Sequence, residues 1–259
     1  MQAKRKTYAK DNFNIYCMKL LMTCTQCVPM DNNSLRELEF MSIEIRNDGL
    51  YKVTCPNGHT SITWLQNQKF EILFDMAAMA LLDSYNREAV SSMAASLERF
   101  YEFYINVILL KHGVEFKIFE EAWKYVKNQS ERQLGAFLFL YLLENKRLKT
   151  IDPKFYTFRN EVIHKGYIPS YDEVIEYGEH IYQFIVTILK ELKETSGDSF
   201  WKVITHGASQ MHSKENERLI KSTMSISTII SHADGDIGSK TFKQKLDELK
   251  QHKRFKYSK

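Results

Sequence analysis

The chain has 259 residues, 44% hydrophobic and 26% charged, the balance of a globular protein with room for one large core and a small satellite unit. Only four prolines and ten glycines, set against fourteen Tyr and sixteen Phe, argue against disorder and for a helix-rich body. The formal charge of +4 is uneven: residues 240–259 hold eight Lys/Arg against two acids, residues 1–10 hold four against none, and the body between is net acidic. Such ends either suit a phosphate-rich partner or are simply solvated tails.

The longest apolar stretches, Ala77 to Leu82 and Leu134 to Leu143, fall short of the roughly 20 residues that cross a bilayer. Polar residues Lys10 to Asn14 stand where a signal peptide would be apolar. No membrane association and a cytoplasmic location are therefore expected.

In chain order, residues 11–65 read as short strands. Asn14 to Met22 is apolar-rich, Met41 to Arg46 alternates, and Asn47-Asp48-Gly49 predicts a hairpin turn into Leu50 to Thr54. From about Gln68 the period becomes helical. Helices are predicted over Phe70 to Asp83, Asn86 to His112 with Gly113 as its stop, and Val114 to Lys127. Ser130-x-x-Gln133 has the form of a capping box opening a helix to about Asn145. Asp152-Pro153 is a helix start and Gly166 a stop. Ser170-x-x-Glu173 opens an amphipathic helix to about Glu194. Thr195 to Asp198 reads as a linker, Phe200 to Ile230 is ambiguous, Asp234-Gly235-Asp236 marks a turn, and Lys240 to His252 is a charged helix. Three units follow: 1–66 as a β module, 67–194 as a helical domain, and 195–259 as a mainly helical extension with a basic end.

Four cysteines, at 17, 24, 27 and 55, fall in the first quarter of the chain, a pattern that in a reducing compartment favours metal binding over disulfides. Cys24-x-x-Cys27 and Cys55-Pro-Asn-Gly-His59 supply four soft or borderline ligands in two knuckle-like turns. A sheet this small cannot bury enough apolar surface to fold unaided, so a closed, structural zinc site is expected, with no open position for catalysis. It is similar to zinc ribbons in general. The competing reading makes Cys24 and Cys27 buried thiols and His59 a surface residue. Cys17 is left over as a core thiol.

Arg159-Asn160-x-x-x-His164, followed by Lys165-Gly166-Tyr167, a proline and the capped acidic helix, resembles the HEPN superfamily over about residues 68–194. The stretch Ser96-Leu97-Glu98-Arg99-Phe100-Tyr101-Glu102 is similar to the acidic, aromatic helix that precedes that motif. The resemblance implies a mainly α, HEPN-like helical bundle beside the small N-terminal β zinc ribbon. It also implies a metal-independent endoribonuclease of toxin or anti-phage defence type in a bacterial cytoplasm, working as a homodimer with facing motifs. A neutralising antitoxin or an activating partner would then restrain it.

The residues allow that chemistry on their own terms. Asn160 and His164 share a helix face, and Arg159 lies about 140° round from His164. An imidazole at the negative end of a helix can exchange a proton with a ribose 2′-OH or a 5′-oxygen, and a guanidinium can stabilise charge on the phosphorane. RNA is then the substrate, because DNA lacks the 2′-OH. One histidine does not serve easily as both acid and base, so a second copy is implied. The alternatives are His164 as a packing residue with Arg159 in a surface ion pair, and a non-catalytic module that binds RNA, a nucleotide or a protein.

Overall fold

The computed structural model describes residues 19–27, 40–212 and 216–257; the expectations for Cys17 and for the basic stretch 1–10 fall outside them. The described chain is mainly helical with a small β part near its N-terminus. The strands are β1 (Lys19–Thr23), β2 (Phe40–Glu44), β3 (Leu50–Thr54) and β4 (Thr60–Leu65). The helices α1 (Lys69–Leu82), α2 (Asn86–Lys111), α3 (Phe116–Trp123), α4 (Ser130–Asn145), α5 (Pro153–His164) and α6 (Tyr171–Thr195) follow. Then come α7 (Gly197–His206), a 3-10 helix (Gly207–His212), β5 (Ile220–Met224) and α8 (Phe242–Tyr257).

Long, evenly apolar α2 is the axis, and α1, α3, α4, α5, α6 and α7 all pack against it. Its buried stripe, Val90, Met93, Leu97, Phe100, Tyr104 and Ile108, recurs at the three- and four-residue steps that the period demands. Aromatic pairs fill the interior: Phe70 meets Phe100 edge-on at 5.3 Å, and Tyr104 meets Phe137 at 5.0 Å.

The turn at Asn47 to Gly49 exists, with Gly49 at φ +65°, but the strands beside it are not a hairpin. β1 pairs with β2, and β3 pairs antiparallel with β4, so the turn carries the chain from one sheet to the other. The actual hairpin loop is Cys55 to His59, which joins β3 to β4. Leu20, Met22, Tyr51 and Leu65 form a small core that closes on Ile72 of α1, seating the β module on the helical body.

Two further expectations differ from the structure. The proposed cap at Ser130 is replaced by Gln129 as the residue before the helix, and Gln133 is buried, donating to the Lys127 carbonyl at 2.9 Å and accepting from Arg99. The supposed linker at 195–198 is a sharp junction: Ser196 ends α6 and opens α7.

The ambiguous segment returns to both units. β5 lies parallel to β4, in register from Ser61 with Ile220 to Leu65 with Met224. The chain after it is bound by three polar residues spaced four apart on and before α1. The Asn67 amide donates to the Ile226 carbonyl at 3.0 Å and accepts from the Ile226 N–H at 2.8 Å; Asp75 accepts from the Ile229 N–H at 3.1 Å. Fully buried Glu71 accepts from the His232 backbone N–H and lies 2.9 Å from its Nδ1. Finally Phe242 of α8 packs over Gly178, where a Cβ would come within 2.6 Å of the ring.

Candidate functional site

Two groups of side chains carry chemistry. The first lies at the tip of the β module. β1 ends at Thr23 and turns back at once, the Cys27 N–H reaching the Cys24 carbonyl at 3.0 Å. The β3–β4 loop makes a matching turn, with Gly58 N–H on the Cys55 carbonyl at 2.9 Å and Gly58 at φ +84°, where glycine avoids a Cβ clash. These turns bring Cys24, Cys27, Cys55 and His59 together, their ligand atoms all within 4.8 Å of one another.

The separations are near those of a tetrahedral metal site. A tetrahedron with metal–sulfur bonds near 2.3 Å and a metal–nitrogen bond near 2.0 Å has edges of ~3.8 Å between sulfurs and ~3.6 Å between sulfur and nitrogen. Here Cys27 Sγ lies 3.8 Å from Cys55 Sγ, and His59 Nδ1 lies 3.9, 3.2 and 3.7 Å from the sulfurs of Cys24, Cys27 and Cys55. The four residues could hold a metal ion.

The surroundings favour the thiolate at Cys55 and disfavour it at Cys27. Burial pushes the Cys55 thiol up, but the backbone N–H groups of His59 and Asn57 outweigh it and bring the group down to about 7. The Asn57 amide, 3.3 Å from Cys27 Sγ, pulls that thiol down, while burial and the neighbouring sulfurs raise it above its ordinary value. Asn57 is thus an outer partner to the cluster.

The second group lies on α5. This helix forms where the sequence predicts it, because Asp152 accepts from the Lys154 N–H at 2.9 Å and Pro153 opens the first turn. It stops at Gly166, φ +75°, with Tyr167 N–H reaching back to the Glu161 carbonyl at 3.1 Å. Phe155 and Val162 anchor it in the core.

Arg159 and Asn160 line a cavity of about 270 Å³ floored by α2 and walled by α4, α5 and α6. Arg159 is held on two sides: Nη2 donates to Glu98 Oε1 at 3.0 Å and Nη1 to Asn160 Oδ1 at 2.9 Å. Both members of the Arg159–Glu98 pair are partly shielded, which strengthens the contact relative to an open surface pair. His164 is not among the lining residues. It is exposed at the end of α5, one turn beyond Asn160, and its side chain has no hydrogen-bond or ion-pair partner among the described residues. The structure therefore brings Arg159 and Asn160 together and leaves His164 outside the cavity, on the solvent side.

Sequence reading missed most of the cavity wall. Tyr101, Tyr156 and Tyr177 face it, with the Tyr101 and Tyr156 hydroxyls 3.4 Å apart. The available signal was the spacing of Phe155, Tyr156, Arg159 and Asn160 on one side of α5. His180 and His206 are held by packing. His180 stacks on Phe155 and accepts from the Asp152 N–H; burial lowers its basicity. His206 stacks on Phe116, and Ser209 donates to the His206 carbonyl. Asp234 is paired with Lys245.

No helix among the described residues is long and apolar enough to cross a membrane. No protein-family model, no curated protein and no solved structure matches the chain.

Proposed function

We propose that the protein is a metal-independent endoribonuclease that acts as a homodimer, leaving 2′,3′-cyclic phosphate and 5′-OH ends. The observation that carries this reading is the division of α5. Its inner side anchors Arg159 through Glu98 and Asn160, while His164 ends the helix exposed and without an intramolecular partner. An exposed imidazole with no hydrogen-bond or ion-pair partner among the described residues is available for proton transfer, and a guanidinium held in place loses less freedom on meeting a phosphate. Arg159 has five N–H donors and uses two of these contacts, so donors remain for a substrate.

A second copy supplies the other proton carrier. α4 supports that part of the reading: it buries only Gln133, Phe137 and Tyr141 and leaves Phe139 and Leu143 74% and 52% exposed. In this reading the Cys24, Cys27, Cys55 and His59 cluster holds a structural zinc, closed to water, and the basic ends help to gather RNA. A nuclease of this kind requires restraint in its host, by a neutralising antitoxin or by a trigger such as infection.

One observation favours a second reading. Glu98 offsets the charge of Arg159, and His164 lies outside the cavity, as in a module that binds RNA, a nucleotide or a protein without cutting. Labelled RNA incubated with the full chain in EDTA separates the two. The nuclease gives cyclic phosphate ends and loses them in His164→Ala and Arg159→Ala; intact RNA with retained binding means a module.

A further inference from the structure

The cavity beside the motif is built unlike a phosphate site. Its surface is mainly apolar, with Leu97, Leu134 and Ile181 in the lining, and the one cation among its described lining residues, Arg159, is paired with Glu98 at 3.0 Å. An anion seated inside, as distinct from a phosphate meeting the remaining Arg159 donors at the mouth, would meet that carboxylate. Its volume of about 270 Å³ lies just below the ~300–1,000 Å³ of drug-sized pockets and suits one flat heterocycle, not a dinucleotide.

Glu98, Ser130, Glu131, Asn160 and three tyrosine hydroxyls join Arg159 as its polar groups. Arg159 locks the Glu98 carboxylate, yet a carboxylate has about four acceptor sites and this pair uses one. Tyr177 is 2% exposed, lines the cavity, and its hydroxyl has no hydrogen-bond partner among the described residues. Burial disfavours its ionised form, so it stands as a donor. The cavity thus offers a carboxylate acceptor and a neutral hydroxyl donor between aromatic rings.

We propose that this cavity binds a guanine base, with Glu98 accepting from its N1–H and N2–H groups and Tyr177 donating to its O6. Guanine presents two adjacent N–H donors to one carboxylate. Adenine turns its N1 lone pair toward the same oxygens, and the pyrimidines offer a single donor position there; each leaves a partly shielded acceptor unpaired, which is where discrimination comes from. Resting on the ribonuclease reading, the assignment also fixes where cleavage occurs. Exposed Asn160 marks the cavity mouth, and His164 is four residues, ~6 Å, further along α5, the reach from a seated base to its own ribose 2′-OH. The cut then falls on the 3′ side of G.

The test is calorimetric titration of the full chain with guanosine, adenosine, cytidine and uridine 3′-monophosphates, none of which has a phosphodiester to cleave. Saturable one-to-one binding of the guanosine nucleotide alone is expected. Glu98→Gln, checked for an unchanged circular dichroism spectrum, weakens it by about tenfold or more, the scale of a lost charge-assisted hydrogen bond. Leu134→Trp, which fills the cavity from α4, abolishes it. Binding of none of the four, equal binding of all, or full affinity in a folded Glu98→Gln protein overturns the assignment. Selective guanine binding by a chain that leaves RNA intact in EDTA keeps the pocket and removes the nuclease.

Discussion

Asp75 sits in the interior of α1 facing the returning chain, and burial raises its carboxyl to about 6 against the single compensating N–H of Ile229. A carboxyl raised in the folded state leaves stability intact below its unfolded value and withdraws it as pH climbs through the folded value. The protein should therefore lose about 3 kcal/mol between about pH 4 and pH 6–7 from this group. Asp75→Asn keeps an acceptor for Ile229 and removes the charge, so its melting temperature at pH 7.5 should exceed that of the parent, and the difference should vanish near pH 4. Thermal melts across that range check it. At the motif, on the ribonuclease reading, His164→Ala should cost about 10²–10⁴-fold in RNA cleavage with an unchanged melting temperature, because the side chain is exposed and no hydrogen bond or ion pair among the described residues depends on it. Arg159→Ala should cost activity and some stability, since it strands Glu98 without its partner.

Among the elements, the contact of α8 with α6 turns on the absence of a side chain. Gly178 lets Phe242 sit where a methyl group would come within 2.6 Å of the ring and 2.9 Å of Met93 Cε. Phe242 is fully buried beside Phe74, at 5.4 Å edge-on, so it cannot swing aside. Gly178→Ala should destabilise by about 1–3 kcal/mol despite the better helix propensity of alanine, as chemical denaturation would read. The β module depends on a different bond. β1 and β2 form a two-stranded sheet with few buried residues, too little to stand alone, and their end is tied to β3 and β4 through the Cys24, Cys27, Cys55 and His59 cluster. Native mass spectrometry should find one zinc per chain, and Cys55→Ser should release it and expose residues 19–65 to proteolysis while α1–α6 stay protected.

For the molecule as a whole, the C-terminal segment is the strap of the structure. β5 extends the β3–β4 sheet, residues 226–232 bind Asn67, Glu71 and Asp75, and α8 closes over α6, so one stretch of chain joins the β module to the helical body. At the same scale stands the exposed apolar side of α4, which suits a second copy. If the proposed homodimer forms through this face, Phe139→Glu with Leu143→Glu should convert it to a monomer in light scattering and reduce the proposed cleavage without unfolding the chain, because neither residue belongs to the core.

Periodicity alone determined the helices from α1 to α6, since their apolar stripes, caps and glycine stops are local signals, and Ser170 and Asp152 cap as their sequence context requires. Ligand spacing likewise announced Cys24, Cys27, Cys55 and His59, because metal knuckles are local turns. What only the tertiary structure decided is non-local: the exchange of strands after Gly49, the parallel pairing of β5 with β4 across more than 150 residues, and the buried acids of α1 that receive it. The same holds for the cavity, whose floor and walls come from four helices and whose tyrosines have no common sequence pattern. A partner far along the chain leaves no trace in the period of a segment, and it is such partners that set Arg159 inward and left His164 in solvent.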